Sequence, residues 1–454
     1  MEKQHRKFRL SAVQIMVLGF IAIILLGAFI LTLPISVSNP DALPEGRTPF
    51  IDALFTATSA TCVTGLVVYD TFSYWSEFGQ FIILLLIQVG GLGFITVLSM
   101  FTIFSEKRNL SLRERALLMQ TSGSATLSNT RELIRTILKG TGIVEGAGAI
   151  LLSIRFIPEF GFWKGIYYGI FHSISAFCNA GFDLMGTKIP GSSLTTYSND
   201  PYVCIVISLL IILGGISFLV WRDFIKHKFH FKKYSLFSKL VLVITLFLIT
   251  AGWIVFFFTE ADASMKDMTI WERLLNSFFQ SVTTRTAGFA AVDQAALSPA
   301  GTGASLFLMF IGGSSGSTAG GIKTITFAVI LLSTLSIVQN KVGVHAFKKR
   351  IDDITVKRAF SIVVLYVGGI LLSTILICSF DSISLTDGLY ETVSAMATVG
   401  LTKGITSVLG MGSKIVLTCL MFTGRIGGLS FAYALLENKQ PLDLTRPVEK
   451  IIVG

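Results

Sequence analysis

The sequence is poor in charged residues, which occupy only 14% of its 454 positions. Soluble domains carry about 25%, so this composition argues against a soluble multidomain enzyme. The five cysteines lie in apolar sequence without a CxxC spacing, and the five histidines follow no ligand pattern. Because these absences leave no disulfide framework, zinc site or acid–base constellation to argue from, we expect that the protein is not an enzyme.

Long uncharged runs are what the sequence has instead, within a composition that is 52% hydrophobic. A helix needs about 20 apolar residues to cross a bilayer. Runs of about this length or longer predict eight spanning helices, at 13–35, 78–104, 136–157, 202–221, 240–258, 304–338, 359–380 and 415–436. Shorter apolar stretches cannot span and predict four re-entrant half-helices, near 49–60, 165–177, 271–283 and 386–397.

The net charge of +10 is distributed as a topology signal. Lysine and arginine cluster before the first run, after every second run and near the C-terminal end, whereas acidic residues gather in the segments between. The positive-inside rule then places both termini in the cytoplasm and the short stretches toward the outside. We therefore expect a multi-pass protein of the cell membrane, in contact with the lipid bilayer and without a nucleic-acid partner.

Four strings that end in glycine follow the short stretches, and we call them glycine strings: TCVTG (61–65), FCNAG (177–181), TRTAG (284–288) and MATVG (396–400). An aromatic residue stands ten positions before each glycine, and Leu or Phe follows it. Self-similarity at a long period sets the architecture, although chance recurrence of glycine is the alternative. We predict four tandem repeats of helix, pore loop and helix, at 1–110, 111–235, 236–345 and 346–454.

Each repeat crosses the membrane twice, so all four share one orientation and can surround only an axis along the membrane normal. Inverted repeats, which alternating-access transporters commonly use, need an odd number of crossings. We therefore predict an all-α polytopic membrane protein with a pseudo-fourfold central pore. Glycine permits backbone turns that a Cβ would block, so the carbonyl groups of the strings can replace the hydration shell of an alkali cation.

The strings and the helix plan resemble the superfamily of potassium transporters that includes the Trk, Ktr and HKT proteins, and most closely the bacterial KtrB subunits. The resemblance covers nearly the whole chain, and its four glycines imply a preference for potassium over sodium. One glycine per string, against two in the TVGYG of potassium channels, predicts fewer well-formed cation sites. The resemblance implies a filter made of Cys62, Val63, Thr64, Gly65, Cys178, Asn179, Ala180, Gly181, Thr286, Ala287, Gly288, Ala397, Thr398, Val399 and Gly400.

The sixth run, 304–338, is interrupted by GGSSGSTAGG at 312–321, which we call the glycine-rich loop. Its composition disfavours a helix, and in the resembled family this segment gates the pore. A flexible packing break is the alternative. The implied gate residues are Gly312, Gly313, Gly316, Gly320, Gly321, Lys323 and Arg425. The loop approaches a phosphate-binding motif, but Ile322 puts Lys323 out of register, so we reject ATP binding.

Arginines inside apolar sequence are costly and mark function by default. Arg425 is one of them, and a structural ion pair or a cap on carbonyl groups is the alternative to its gate role. Arg285, inside the third string, would repel cations at the axis, so we expect it turned away and tied to backbone or to an acid. Glu145 and Arg155 lie near the ends of the weakest run and are expected to be structural.

The resemblance implies channel-like uptake of potassium across the cytoplasmic membrane, with a sodium- or proton-coupled symporter as the alternative. K+ is then the transported ion, Na+ an activator, and no organic cofactor belongs to this chain. The resemblance also implies a homodimer in the membrane and a cytosolic nucleotide-binding ring subunit (KtrA-like). The basic segment FKKRIDD (347–353) is a candidate docking surface for that partner.

Overall fold

The computed structural model describes residues 12–42, 46–93 and 130–427, and most of their regular structure is helical. The ends of two predicted spans, 94–104 and 428–436, lie outside the described residues. Of these two spans, the structure therefore describes residues 78–93 and 415–427.

The first predicted repeat contains a long helix, a short buried helix and a returning helix. These are α1 (Ala12–Leu31), α2 (Phe50–Thr61) and α4 (Glu77–Leu92), with the single turn α3 (Thr71–Tyr74) before the last. Helix α2 begins after Pro49, which cannot donate a backbone hydrogen bond, and ends where the first glycine string begins.

The other predicted repeats contain the same elements with local breaks. The second holds α5 (Thr130–Phe160), α6 (Phe162–Phe177), α7 (Pro201–Gly215) and α8 (Phe218–His227). The third holds α9 (Leu236–Thr259), α10 (Ile270–Thr283), α11 (Pro299–Phe310), α12 (Thr324–Val338) and an antiparallel hairpin of β1 (Val344–Ala346) and β2 (Lys349–Ile351). The fourth holds α13 (Asp353–Asp381), α14 (Leu385–Ala397) and α15 (Met411–Ile426).

The first helix of each predicted repeat is a complete candidate span. Within the described residues, α1, α5, α9 and α13 are long and apolar enough to cross a membrane. Large side chains on them are well exposed, including Leu26 at 62% and Leu372 at 66%, as expected for helices that contact lipid. The second helices are shorter or broken, which places irregular backbone near the middle of the fold.

The second repeat differs from the single span predicted over 202–221. Helices α7 and α8 meet at an angle of 94°. The hydroxyl of Ser217 accepts a hydrogen bond from the N–H of Leu219 and so begins α8. The N–H of Phe218 donates to the carbonyl of Gly316 at 2.9 Å. The glycine-rich loop thus satisfies backbone groups that the bend exposes.

The core lies around the half-helices α2, α6, α10 and α14. Phe55, Phe171 and Tyr390, each ten positions before a string glycine, have no exposed surface. In the third repeat the fully buried aromatic residue is Phe279, nine positions before its glycine, while Phe278 is half-buried. Burial around the half-helices holds the glycine strings at the centre of the molecule.

Candidate functional site

The four string glycines form a closed ring in chain order. A Cβ added to Gly65 would lie 3.2 Å from the Cα of Gly181, and one added to Gly181 would lie 3.0 Å from the Cα of Gly288. One added to Gly288 would lie 3.3 Å from the Cα of Gly400, and one added to Gly400 would lie 2.8 Å from the Cα of Gly65. The carbonyl oxygen before each neighbouring glycine lies closer still. The backbones therefore meet at distances that only glycine allows.

Each string has two left-handed residues, of which the sequence indicated only the glycine. The glycines have φ between 71° and 95°. The residue two positions earlier also has positive φ, at Val63 (56°), Asn179 (58°), Thr286 (75°) and Thr398 (52°). Side chains rarely adopt this conformation, and β-branched ones least of all. A backbone with a left-handed residue at every second position can turn successive carbonyl groups toward one side.

Serine side chains anchor three of the strings to their half-helices. Ser59, Ser175 and Ser394 stand six positions before the glycine, and their carbonyls accept the N–H of the residue before it at 2.8 Å. The hydroxyls of Ser59 and Ser394 accept the N–H of the glycine at 3.1 and 3.0 Å. Ser175 and, in the third string, Thr283 instead donate to the carbonyl of the residue after the glycine at 2.6 Å. The serine six positions before the glycine therefore recurs in three of the four strings and is visible in the sequence.

A second set of glycines lies beside the ends of the half-helices. A Cβ added to Gly90, Gly214 or Gly424 would lie 2.7, 2.8 or 2.9 Å from the carbonyl carbon four positions before the nearest string glycine. The second helices can approach the strings this closely because these positions lack a side chain. Gly90 and Gly214 each begin a glycine pair, at 90–91 and 214–215, whereas Gly424 is followed by Arg425.

A cavity of about 500 Å³ lies on one side of the ring, and we call it the outer cavity. The four string glycines line it together with Asp70, Asp183, Asp293 and Lys403. Burial raises the pKa of the Asp183 carboxyl from its ordinary value of 3.8 to about 6, and the nearby Asp70 acts in the same direction. The cavity therefore carries three carboxyl groups against one lysine, and the pKa of one of these carboxyls is raised to about 6.

The glycine-rich loop lies against the other side of the strings. An isolated bridge between Ile311 and Ile322 closes it. A Cβ on Gly312 would lie 3.0 Å from Cγ2 of Thr286, and one on Gly320 would lie 3.0 Å from Cβ of Thr398. The loop thus packs directly against the third and fourth strings.

Two partly buried cations hold the loop by capping its carbonyl groups. Arg425 donates to the carbonyl of Thr318 and to those of Gly90 and Gly91 in α4. Lys323 Nζ donates to the carbonyl of Ala319 at 2.6 Å. In the part of the chain that the structure describes, neither cation forms an ion pair with a carboxylate. The geometry of Arg425 is therefore that of a cap on carbonyl groups, the alternative that the sequence left open.

Arg285 is buried and is not among the residues that line the outer cavity. It lines a small cavity with Gly215 and Gly313, and its exposed fraction is 8%. The predicted tie to an acid is absent among the described residues, and its Nε has no hydrogen-bond partner. The guanidinium therefore lies beside the bend of α7 and the start of the glycine-rich loop.

The other two charges expected to be structural have partners. Glu145 accepts a hydrogen bond from Gln88 at 3.1 Å. Arg155 forms ion pairs with Glu159 at 3.2 Å and Asp200 at 2.6 Å. The ion pairs of Arg155 lie apart from the ring, whereas Glu145 also accepts a hydrogen bond from Sγ of Cys178 in the second string at 3.9 Å.

Comparisons with known proteins agree along nearly the whole chain. The family described as "TrkH: Cation transport protein" matches residues 24–440. The potassium/sodium uptake protein NtpJ of Enterococcus hirae is 40% identical over 100% of this chain and 99% of that protein. The Ktr system potassium uptake protein B of Bacillus subtilis is 36% identical over 97% of this chain and 96% of that protein.

A solved structure gives the same fold. The potassium transporter TrkH from Vibrio parahaemolyticus superposes with a TM-score of 0.74 at 16% identity, covering 97% of this chain and 87% of that one. At this identity the likeness concerns the fold alone. The predicted fold class, a helical polytopic membrane protein, is confirmed.

Proposed function

Since the chain belongs to the TrkH family of cation transport proteins, we propose that it takes up potassium through the ring of glycine strings. The observation that carries the proposal is the closed ring of four glycines, each preceded by a second left-handed residue. Relatives that match nearly the whole chain are named for potassium uptake or for potassium and sodium uptake. This supports potassium as the transported ion.

Carbonyl oxygens of the strings take over the hydration of the ion in this proposal. Irregular backbone within a membrane is tolerated where it is buried or lines water, and rings of carbonyls bind alkali cations. The half-helices end at the strings, so their partly negative C-terminal ends also favour a cation. The inside-negative membrane potential, worth about 2.3 kcal/mol per charge per 100 mV, drives the ion inward.

The glycine-rich loop, Lys323 and Arg425 close the pathway on the cytoplasmic side. The loop packs against two strings, and the two cations add an electrostatic barrier to an arriving potassium ion. Arg425 also links the loop to α4, so loss of its hydrogen bonds frees one side of the loop. Gating then consists of displacing this loop.

A partner supplies the regulation in this proposal. Two of the relatives are named as proteins B and D of a Ktr system, which supports a membrane component of a multi-subunit system. The homodimer, the KtrA-like ring subunit and activation by Na+ are part of the proposal. The hairpin of β1 and β2, which carries Lys348 and Lys349 in and beside its turn, is the docking surface we propose for the ring subunit.

The decisive experiment measures potassium influx into vesicles that contain the purified protein, with an inside-negative potential as the driving force. We expect influx that follows the potential and does not need a stoichiometric flux of sodium or protons. Empty vesicles and vesicles with the Gly288→Ser variant are the controls. Absence of potassium influx would refute the proposed function, and obligatory co-transport of a second ion would favour the symporter.

A further inference from the structure

Thr318 joins the glycine-rich loop to the second glycine string. Its Oγ1 accepts a hydrogen bond from Nδ2 of Asn179 at 3.2 Å. The same hydroxyl lies 2.9 Å from the carbonyl oxygen of Phe177 and 3.0 Å from that of Gly214, to one of which it donates. Thr318 has no exposed surface. One loop side chain thus contacts the string, the end of its half-helix and the bend of α7.

The backbone of Thr318 extends the connection to Arg425. Its N–H donates to the carbonyl of Gly214 at 3.2 Å, and its carbonyl accepts from Arg425. Arg425 in turn donates to the carbonyls of Gly90 and Gly91. A continuous chain of hydrogen bonds therefore runs from α4 through Arg425 and Thr318 to the second string.

Asn179 differs from its three counterparts in the other strings. Val63 has no polar side-chain atom, and the hydroxyls of Thr286 and Thr398 have no hydrogen-bond partner. All four residues have positive φ, and Asn tolerates that conformation better than Val or Thr. Among these four positions, Asn179 alone both fits the left-handed backbone and bonds the loop.

We propose that Asn179 and Thr318 form a positioning pair that makes the ion selectivity of the second string depend on the state of the glycine-rich loop. The inference rests on the proposed function and deepens it. While the loop is in place, the amide holds the string backbone at its left-handed residue. When the loop leaves, the hydrogen bond is lost and the second string relaxes.

Breaking the pair has two consequences. The loop loses one anchor, so the potassium flux without a partner rises. The second string relaxes even while the loop is in place, so the potassium-to-sodium ratio of the influx without a partner falls toward the ratio of the wild type with its loop displaced. One buried hydrogen bond corresponds to a factor of about 3 to 10 in such an equilibrium, and we expect changes of that size in both quantities.

The test is a double-mutant cycle of Asn179→Gly and Thr318→Val, measured as potassium and sodium influx into vesicles. Glycine removes the amide and still accepts the φ of 58°. Valine removes the hydroxyl at nearly constant volume and keeps both backbone hydrogen bonds of residue 318. Each single variant should shift both quantities, Thr318→Val by more because it also removes the donation to Phe177 or Gly214. The double variant should shift them no further than Thr318→Val alone.

Two variants separate coupling from general damage. Thr318→Ser keeps the hydroxyl and should restore the wild-type ratio. Val63→Gly changes the equivalent position of the first string, whose side chain makes no hydrogen bond to the loop, so its effect should add to that of Thr318→Val. Additive effects of Asn179→Gly and Thr318→Val, or a serine variant that behaves like valine, would overturn the proposal.

Hydrogen exchange tests the pair independently of transport. Amides of the peptide that covers 312–321 should exchange about 3 to 10 times faster in Asn179→Gly, a variant outside the loop, than in the wild type or in Val63→Gly. Unchanged exchange would show that Asn179 does not hold the loop. If the wild type carried no potassium, the proposed function would fail, while the exchange data would still decide whether the pair exists.

Discussion

Val63, Thr286 and Thr398 carry β-branched side chains at positive φ, where such residues are rarely found. A conformation of this kind costs about 1 to 3 kcal/mol and persists only when its surroundings impose it. Here the surroundings are the hydrogen bonds between the strings and their half-helices, at Ser59, Thr283 and Ser394, and the close approach of the neighbouring strings. Strain that is maintained in three of the four strings supports the proposal that the backbone shape itself is the functional element.

The Gly288→Ser variant tests that shape at one residue. A Cβ there would lie 3.3 Å from the Cα of Gly400 at a φ of 83°, so the third and fourth strings must separate. We expect the potassium-to-sodium influx ratio to fall about tenfold, the effect of roughly 1.4 kcal/mol, with the protein still folded. Gly303→Ser, where a Cβ meets nothing within 4 Å, is the matched control. An unchanged ratio in Gly288→Ser at equal protein content would contradict the filter assignment of the third string.

Asp183 predicts a dependence of uptake on external pH. Its carboxyl has a pKa raised to about 6, so it is charged above pH 6 and becomes neutral as the external pH falls through that value. Loss of this charge from the outer cavity should weaken the apparent potassium affinity, by up to about fivefold, since partly exposed charges interact by at most about 1 kcal/mol.

The measurement is the potassium concentration for half-maximal influx between external pH 7 and pH 5. Asp183→Asn keeps the shape and the hydrogen-bond acceptor but removes the titration, so its affinity should be lower at pH 7 and independent of pH. A wild-type profile that is flat, or a variant that keeps the full pH dependence, would refute the role of Asp183.

At the scale of elements, the half-helices and the glycine-rich loop oppose each other across the strings. Each half-helix is buried and fixed by aromatic packing, as Phe55, Phe171 and Tyr390 show. The loop instead is held by backbone hydrogen bonds, by Thr318 and by two cations. Because it buries few large apolar side chains, the loop can rearrange at lower cost than the half-helices.

Shortening the loop should therefore open the pathway. Deletion of 316–319 removes the carbonyl groups of Thr318 and Ala319, to which Arg425 and Lys323 donate. We expect partner-independent potassium influx to rise at least about tenfold, the effect of roughly 1.4 kcal/mol. Arg425→Ala should raise it less, because the loop itself remains. Influx per folded protein is measured in vesicles, with monodispersity in detergent as the measure of folding.

The exposed Arg358 supplies the control, since Arg358→Ala removes the same charge from the surface. It should leave influx at the wild-type level. A well-folded loop deletion with influx at or below the wild-type level would refute the gate assignment. Poor folding of Arg425→Ala alone would indicate that the carbonyl cap is structural.

At the scale of the whole molecule, four unequal glycine strings form one ring. The third half-helix places its buried aromatic residue one position later than the others, and its string is bound through Thr283 instead of a serine. The second string alone bonds the loop through the side chain of its left-handed residue, among the four described strings. The four strings therefore share one backbone conformation, but different side chains support each of them.

Serine substitutions at Gly65, Gly181 and Gly400 test the shared axis. Each Cβ would press on the next string in the ring, at 2.8 to 3.2 Å from its glycine Cα. We expect all three to lower the potassium-to-sodium influx ratio, by amounts that differ because the supports differ. Gly303→Ser again serves as the control. A ratio that changed at one string and stayed constant at the other three would contradict a common pathway.

Several features could be predicted from the sequence because they depend on local composition. Apolar runs predicted the first helices of all four repeats, and the short stretches predicted the half-helices to within a few residues. The glycines of the ring were predicted from recurrence alone, because a position at positive φ in tight backbone contact admits little else. The break at 312–321 followed from a composition that disfavours a helix.

Other features were decided only when distant segments met. The left-handed Val63, Thr286 and Thr398 violate local preference, so no single-residue propensity could indicate them. The bend between α7 and α8 depends on the carbonyl of Gly316, about a hundred residues away. Local composition was sufficient to predict which segments form apolar helices and where glycine is required. Which carbonyl, hydroxyl and guanidinium groups meet there depends on the tertiary fold, because hydrogen bonds between segments far apart in the chain leave no periodic signal in the sequence.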